Sequence, residues 1–150
     1  MLSRASRYGE PFALAMFDLD RFKQINDSIG HLGGDNCLRH FADILLEQIR
    51  EADVVARFGG EEFVVAFSGI SPAGVRRIVG RILCAVRNHD FVLEGQVVPL
   101  TVSAGVADIS ELDVVPTWPD PLIRLADDRL YAAKQAGRDC LVDALGVSRI

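Results

Sequence analysis

The sequence predicts one α+β domain, a central and largely antiparallel sheet flanked by helices. Three observations carry this. The chain has 150 residues, 49% hydrophobic and 25% charged, the size and balance of a single globular domain. Strand-like and helix-like patterns alternate with no linker, repeat or low-complexity tract between them. Glycine-containing links at Gly59-Gly60 and Gly95 join strand patterns into hairpins, and hairpins pair neighbours antiparallel.

The elements follow in order. Phe12 to Leu19 is an almost wholly apolar run ending in acids, a buried strand with carboxylates at its C-terminal end. Arg21 to Ile29 predicts a short helix closed by Gly30. Asp35 reads as the N-cap of a second helix over 36–50, where Leu38, Phe41, Ala42, Leu45, Leu46 and Ile49 recur at helical spacing. Val54 to Phe58 and Glu61 to Phe67 are two strands around Gly59-Gly60, a tight turn for which glycine supplies positive φ. Ser71-Pro72 caps and opens a helix whose buried stripe is Val75, Ile78, Val79, Ile82, Leu83 and Val86. A second hairpin runs from Phe91–Leu93 into a long strand from Val97 to about Val106. Asp120-Pro121 starts the last helix, ending at Gly137, and Cys140-Leu141-Val142 forms a final edge strand.

Composition excludes several function classes. Sixteen basic against 21 acidic side chains leave a net charge of -5. That counts against general nucleic-acid binding and against a polybasic membrane surface. No apolar run approaches the ~20 residues of a membrane span, so no direct membrane insertion is expected. The three cysteines are scattered and odd in number, which suits reduced thiols in a cytoplasmic protein better than a disulfide framework. Only two basic residues are lysines, Lys23 and Lys134.

The chemistry-bearing groups are acids near the turn. Asp18 and Asp20 close the first strand and share a face by alternation, while Glu61 and Glu62 follow the glycines and point to opposite faces. If the hairpin lies beside the first strand, carboxylates converge. Their repulsion calls for a divalent cation, and Mg²⁺ favours one or two carboxylates together with phosphates.

Four stretches then occur together: DLDRFKQINDSIGHLGGD from Asp18, RFGGEEF at the hairpin, TVSAGVA from Thr101, and ADDRLYAAKQAGRD in the last helix. Their order and spacing closely resemble the GGDEF family of diguanylate cyclases, in the GGEEF form, from about Phe12 to Asp139. The resemblance implies a fold like nucleotidyl cyclase and polymerase palm domains. It implies synthesis of cyclic di-GMP from two GTP molecules in bacterial second-messenger signalling, with one GTP per domain and a homodimer, at least transient.

The resemblance also implies roles. Asp18 ligates Mg²⁺ (or Mn²⁺) by its carboxylate, Leu19 by its carbonyl, and Glu61 as ligand and general base. Glu62 supports the metal or transition state. Gly59 and Gly60 admit the phosphates, Asn26 and Asp35 read guanine, and Phe22, Lys23, Lys134 and Arg138 contact the phosphates. A four-residue separation places Lys134 and Arg138 on one face if the helix continues. His31 is read as structural. Arg50 and Asp53, an RxxD before the turn, match a product-inhibition site that Arg81 completes from a second domain. The family's opening helix and DxLTGLxNR segment are missing before Phe12, so the resemblance implies an N-terminally truncated domain with isolated activity in doubt. Two other functions remain open: a catalytically silent cyclic di-GMP receptor, and a GTP-binding regulatory module.

Overall fold

A computed structural model describes all 150 residues. The chain forms helix α1 (Leu2–Tyr8), strand β1 (Phe12–Leu19), helix α2 (Phe22–Gln48), strands β2 (Val54–Arg57) and β3 (Glu62–Ser68), and helix α3 (Pro72–Asn88). The second half adds β4 (Phe91–Leu93), β5 (Gln96–Val98), β6 (Val102–Asp108), a 3₁₀ turn (Ile109–Glu111), α4 (Asp120–Gln135), β7 (Leu141–Asp143) and β8 (Gly146–Ser148). The main sheet has the order β2-β3-β1-β6-β7-β8. Every neighbouring pair is antiparallel except β6 and β7.

β1 is central and buried along its whole length, as an uninterrupted apolar run requires. Its odd-numbered residues, Ala13 to Leu19, face a core of 26 buried residues shared with α2 and α3. Phe12, Leu14 and Met16 face a smaller core under α4. Phe41 of α2 meets Phe63 of β3 edge-on, with ring centroids 5.1 Å apart, and Phe17 at 6.2 Å. Such pairs contribute about 0.5–1.5 kcal/mol beyond their burial. Phe63 therefore anchors the strand that follows the glycine turn.

Several expectations are corrected. Helical backbone resumes directly after Gly30, the one non-helical residue inside α2 (φ 75°, ψ 172°). Asp35 thus lies within the helix and caps nothing. Leu46 is 57% exposed, and Ile44 takes its place on the buried face. The strand expected over 97–106 is two strands in two sheets, β5 and β6. Pro99, lacking an N–H, stands between them. β7 is not the edge, because β8 pairs outside it. Neither α1 nor β8 was expected. No helix is long and apolar enough to cross a membrane.

Candidate functional site

Pairing of β1 with β3 and β6 brings three things to one end of the sheet: the C-terminal end of β1, the first turn of α2, and the β2–β3 turn. Asp18 stands opposite Glu62 in register, so the two side chains share a face. That face is covered by α4, whose Lys134 donates from Nζ to Asp18 Oδ2 at 2.8 Å. The Asp18 side chain is 7% exposed. Burial pushes its carboxyl up to about 6, and the charges of Glu61 and Glu62 push the same way against the Lys134 bond. The hairpin does lie beside the first strand, and the charges of Glu61 and Glu62 act on Asp18, although the acids are not gathered into a ready-made three-carboxylate metal group.

Asp20 stands apart from these acids. Its carboxylate accepts from Thr101 Oγ1 and Ser103 Oγ, both at 2.7 Å, and from the Asp139 backbone N–H at 3.1 Å. It ties the turn after β1 to β6 and to the loop after α4. Sequence alternation could not separate the two aspartates, because the hydroxyl partners lie more than 80 residues away.

Beside the acids lies a cleft of about 480 Å³ lined by Phe22, Lys23, Asn26, His31, Asp35, Leu38, Arg57, Gly60 and Glu61. Five of the eight residues expected to bind the nucleotide are gathered here, Phe22, Lys23, Asn26, Asp35 and Gly60, beside Glu61, expected as metal ligand and general base; Gly59, Lys134 and Arg138 do not line this cleft. Asp35 and Lys23 are exposed, and Phe22 is buried. Asn26 Oδ1 is buried without a hydrogen-bond partner. Its seat depends on Gly34, where a Cβ would lie 1.8 Å from that oxygen and 3.1 Å from the Phe22 ring. Gly34 escaped the sequence reading because its importance is a tertiary contact.

The β2–β3 turn spans four residues, Phe58 to Glu61, rather than two. Neither Gly59 nor Gly60 has positive φ, contrary to expectation. A Cβ at Gly59 would meet the flexible end of Glu62, Oε2, at 2.8 Å, whereas nothing lies within 4 Å of the corresponding position on Gly60. The main chain of Gly60 is therefore open to whatever enters the cleft.

Arg138 lies after the last helix, and the shared helical face with Lys134 does not arise. α4 ends at Gln135, and Arg138 follows in left-handed backbone (φ 65°). Its exposed side chain does not meet Asp18.

A second groove lies elsewhere on the surface, lined by Gln48, Arg50, Gly69, Ile70, Ser71, Gly74, Arg77, Ile78 and Arg81. Asp53, its side chain fully buried, accepts from the Arg50 backbone N–H at 3.0 Å and from its guanidinium at 3.0 and 3.3 Å. Arg50 also donates to the Ser68 carbonyl at 2.7 Å. Asp53 therefore positions Arg50 and faces no solvent. Arg81 donates to the Gln48 carbonyl at 3.2 Å, so Arg50 and Arg81 line one groove of the same chain. Arg77 beside them was not foreseen.

Fold and cleft together define a palm-like domain with carboxylates beside a nucleotide-sized cleft. The chain matches the family described as "Diguanylate cyclase, GGDEF domain" over residues 1–140, and it belongs to that family. It is 39% identical over 140 residues to diguanylate cyclase DgcP of Pseudomonas aeruginosa, covering 93% of this chain and 20% of that one. It is also 39% identical over 145 residues to the response regulator PleD of Caulobacter vibrioides, covering 95% of this chain and 31% of that one. The chain thus spans a fifth to a third of these relatives. Among solved structures, the GGDEF domain of YfiN (TpbB) from Pseudomonas aeruginosa superposes with a TM-score of 0.89 at 34% identity, covering 95% of this chain and 88% of that one. The GGDEF domain of DgcB from Caulobacter crescentus, in complex with c-di-GMP, gives 0.86 at 28% identity, covering 96% and 84%.

Proposed function

We propose that the domain condenses two GTP molecules into cyclic di-GMP. In each half-reaction the 3′-oxygen of one GTP forms a bond to the α-phosphorus of the other. The bond from that phosphorus to the bridging oxygen breaks, and pyrophosphate leaves with the electron pair. The observation that supports this best is the junction of the acids Asp18, Glu61 and Glu62 with the cleft holding Asn26 and Asp35. Acids for phosphoryl chemistry and polar groups for a base meet in one place.

Each side chain has a task. Asp35 accepts N–H donors of guanine, and Asn26 offers both donor and acceptor. Adenine leaves such groups unpaired and is rejected. Lys23 and Lys134 offset phosphate charge, and Arg138 reaches the phosphates once its exposed side chain reorients. Glu61 takes the proton of the attacking 3′-hydroxyl. Glu62, opposite Asp18, adds negative charge beside it.

The donor set fits Mg²⁺ or Mn²⁺. Asp18 and Glu61, with the Leu19 carbonyl, are hard oxygen donors. Lys134 now holds Asp18 Oδ2 at 2.8 Å; that oxygen would pass to a divalent ion and release the ammonium to the phosphates. A bound divalent ion supplies charge neutralisation at the transferring phosphate.

One GTP per domain means that two chains face each other for reaction. The same residues serve a GTP-binding regulatory module if the second chain never arrives. A silent cyclic di-GMP receptor draws instead on the groove of Arg50 and Arg81, where Arg50 is pre-oriented by Asp53 as a planar donor fork. In an active enzyme that groove serves product inhibition. The deciding experiment fuses the chain to a dimeric coiled coil, supplies GTP and Mg²⁺, and separates products by chromatography. Wild type yields cyclic di-GMP and Glu61→Gln does not. Equal silence of both proteins refutes the cyclase reading.

A further inference from the structure

The turn that carries Glu61 is held by a residue that is not one of these acids. Arg57, the last residue of β2, is exposed and folds back over the turn. Its Nε donates to the carbonyls of Gly59 and Gly60 at 3.2 and 3.1 Å, and its Nη2 donates to the Gly60 carbonyl at 2.6 Å. On the turn's other strand, the N–H groups of Phe58 and Gly59 donate to the Glu62 carbonyl at 2.8 and 3.3 Å. The N–H groups of Gly60 and Glu61 donate to nothing in the chain.

These bonds have a joint consequence. Neither glycine adopts the left-handed backbone that would lock a tight turn. The main-chain bonds to the Glu62 carbonyl close the base of the turn, and Arg57 holds its tip, where a planar fork can hold two carbonyls at once and a single ammonium cannot. With both glycine carbonyls drawn to Arg57, the unpaired N–H groups of Gly60 and Glu61 are left for a ligand. Nothing within 4 Å covers Gly60 where a side chain would project. Adjacent main-chain N–H groups with a cation behind them form an anion-binding concavity.

We propose that Arg57 is a positioning residue: by clamping the glycine carbonyls it sets the Gly60 and Glu61 N–H groups to receive a nucleotide phosphate and fixes the main chain from which Glu61 acts. This rests on the GTP-binding reading of the same cleft. It differs from direct phosphate binding by Arg57, because the charge works through the turn.

The test uses the whole chain, Mg²⁺, calorimetry and backbone amide NMR, with GTP supplied as its 3′-deoxy form, which lacks the attacking hydroxyl and so binds without being condensed. In wild type, GTP shifts the amide resonances of Gly60 and Glu61 and the side-chain amide of Asn26. In Arg57→Ala, the Asn26 shift persists at saturation, the Gly60 and Glu61 shifts are lost, and affinity falls about tenfold or more, the scale of losing charge-assisted bonds. Arg57→Lys keeps the charge without the fork and behaves like Arg57→Ala. Melting temperatures and the resonances of the β1–β6 core identify any variant that fails to fold. If Arg57→Lys retains wild-type shifts and affinity, charge alone suffices and the clamp is refuted. If Arg57→Ala retains them, the positioning role is refuted while GTP binding stands. If wild-type resonances in the cleft ignore GTP altogether, the binding reading fails and the proposal with it.

Discussion

Gly34→Ala isolates the cleft's base-reading function from its stability. The added Cβ would lie 1.8 Å from Asn26 Oδ1 and 2.9 Å from its Cγ. Ordinary contact begins near 3.4 Å, so the amide oxygen must retreat by about 1.6 Å, and it does so by rotating the side chain. Leaving a staggered rotamer costs about 0.5–1.5 kcal/mol. Alanine in place of glycine inside a helix returns about 1 kcal/mol. The net stability change is therefore small, a loss of about 1 kcal/mol once the 3.1 Å approach to the buried Phe22 ring is counted. The displaced amide can no longer meet the base, which costs about 1–3 kcal/mol of binding, or roughly fivefold to 150-fold in GTP affinity. The assay is GTP calorimetry beside urea unfolding, repeated in Asn26→Ala. Once Asn26 is gone, Gly34→Ala has little left to displace, so the two changes are strongly non-additive. Unchanged GTP affinity in Gly34→Ala, or additive effects in the double variant, refutes the role given to Asn26.

Other predictions follow from the same geometry. Asp20→Ala removes one carboxylate from three donors and destabilises the domain by about 3 kcal/mol or more, read from urea midpoints at unchanged m. Arg50→Ala abolishes calorimetric binding of cyclic di-GMP; retained binding removes that groove from the account. Arg129, by hydrogen bonding, holds the Glu111 carboxyl below its ordinary 4.5. The pair's stabilisation is fully present above that value and is lost as pH falls through the lower folded-state value. Glu111→Gln should flatten this part of the acid-unfolding curve, and an identical acid limb contradicts the assignment.

The sequence made the buried parts legible and the exposed parts less so. Phe12–Leu19 announces a central strand because both its faces are buried, and the α3 stripe from Val75 to Val86 is set by one core. α1 gives little signal because Ala5 is its only buried residue. β8 contributes Val147 exposed at the sheet edge, so no apolar alternation marks it. Asp35 resembles a cap in sequence, yet Gly30 had already broken the helix five residues earlier. Within the candidate site, the sequence singled out Asp18, Glu61 and Glu62 as acids that a hairpin beside β1 would bring near one another, and β1 does pair with β3. The work of Asp20, Gly34 and Arg57 consists of tertiary or turn contacts that spacing does not encode. Asp53, expected beside Arg50 in the product-inhibition motif, is buried and bonded to Arg50, a pairing that the RxxD spacing alone does not reveal.

The central claim is that two copies, each holding one GTP, perform the condensation together. Its most direct test is cyclic di-GMP formation by the unfused chain, measured as specific activity across a wide range of protein concentration at saturating GTP and Mg²⁺. Assembly of two copies makes specific activity rise with concentration and level off once dimers predominate. Specific activity that stays constant while the chain remains monomeric throughout the range would contradict the account.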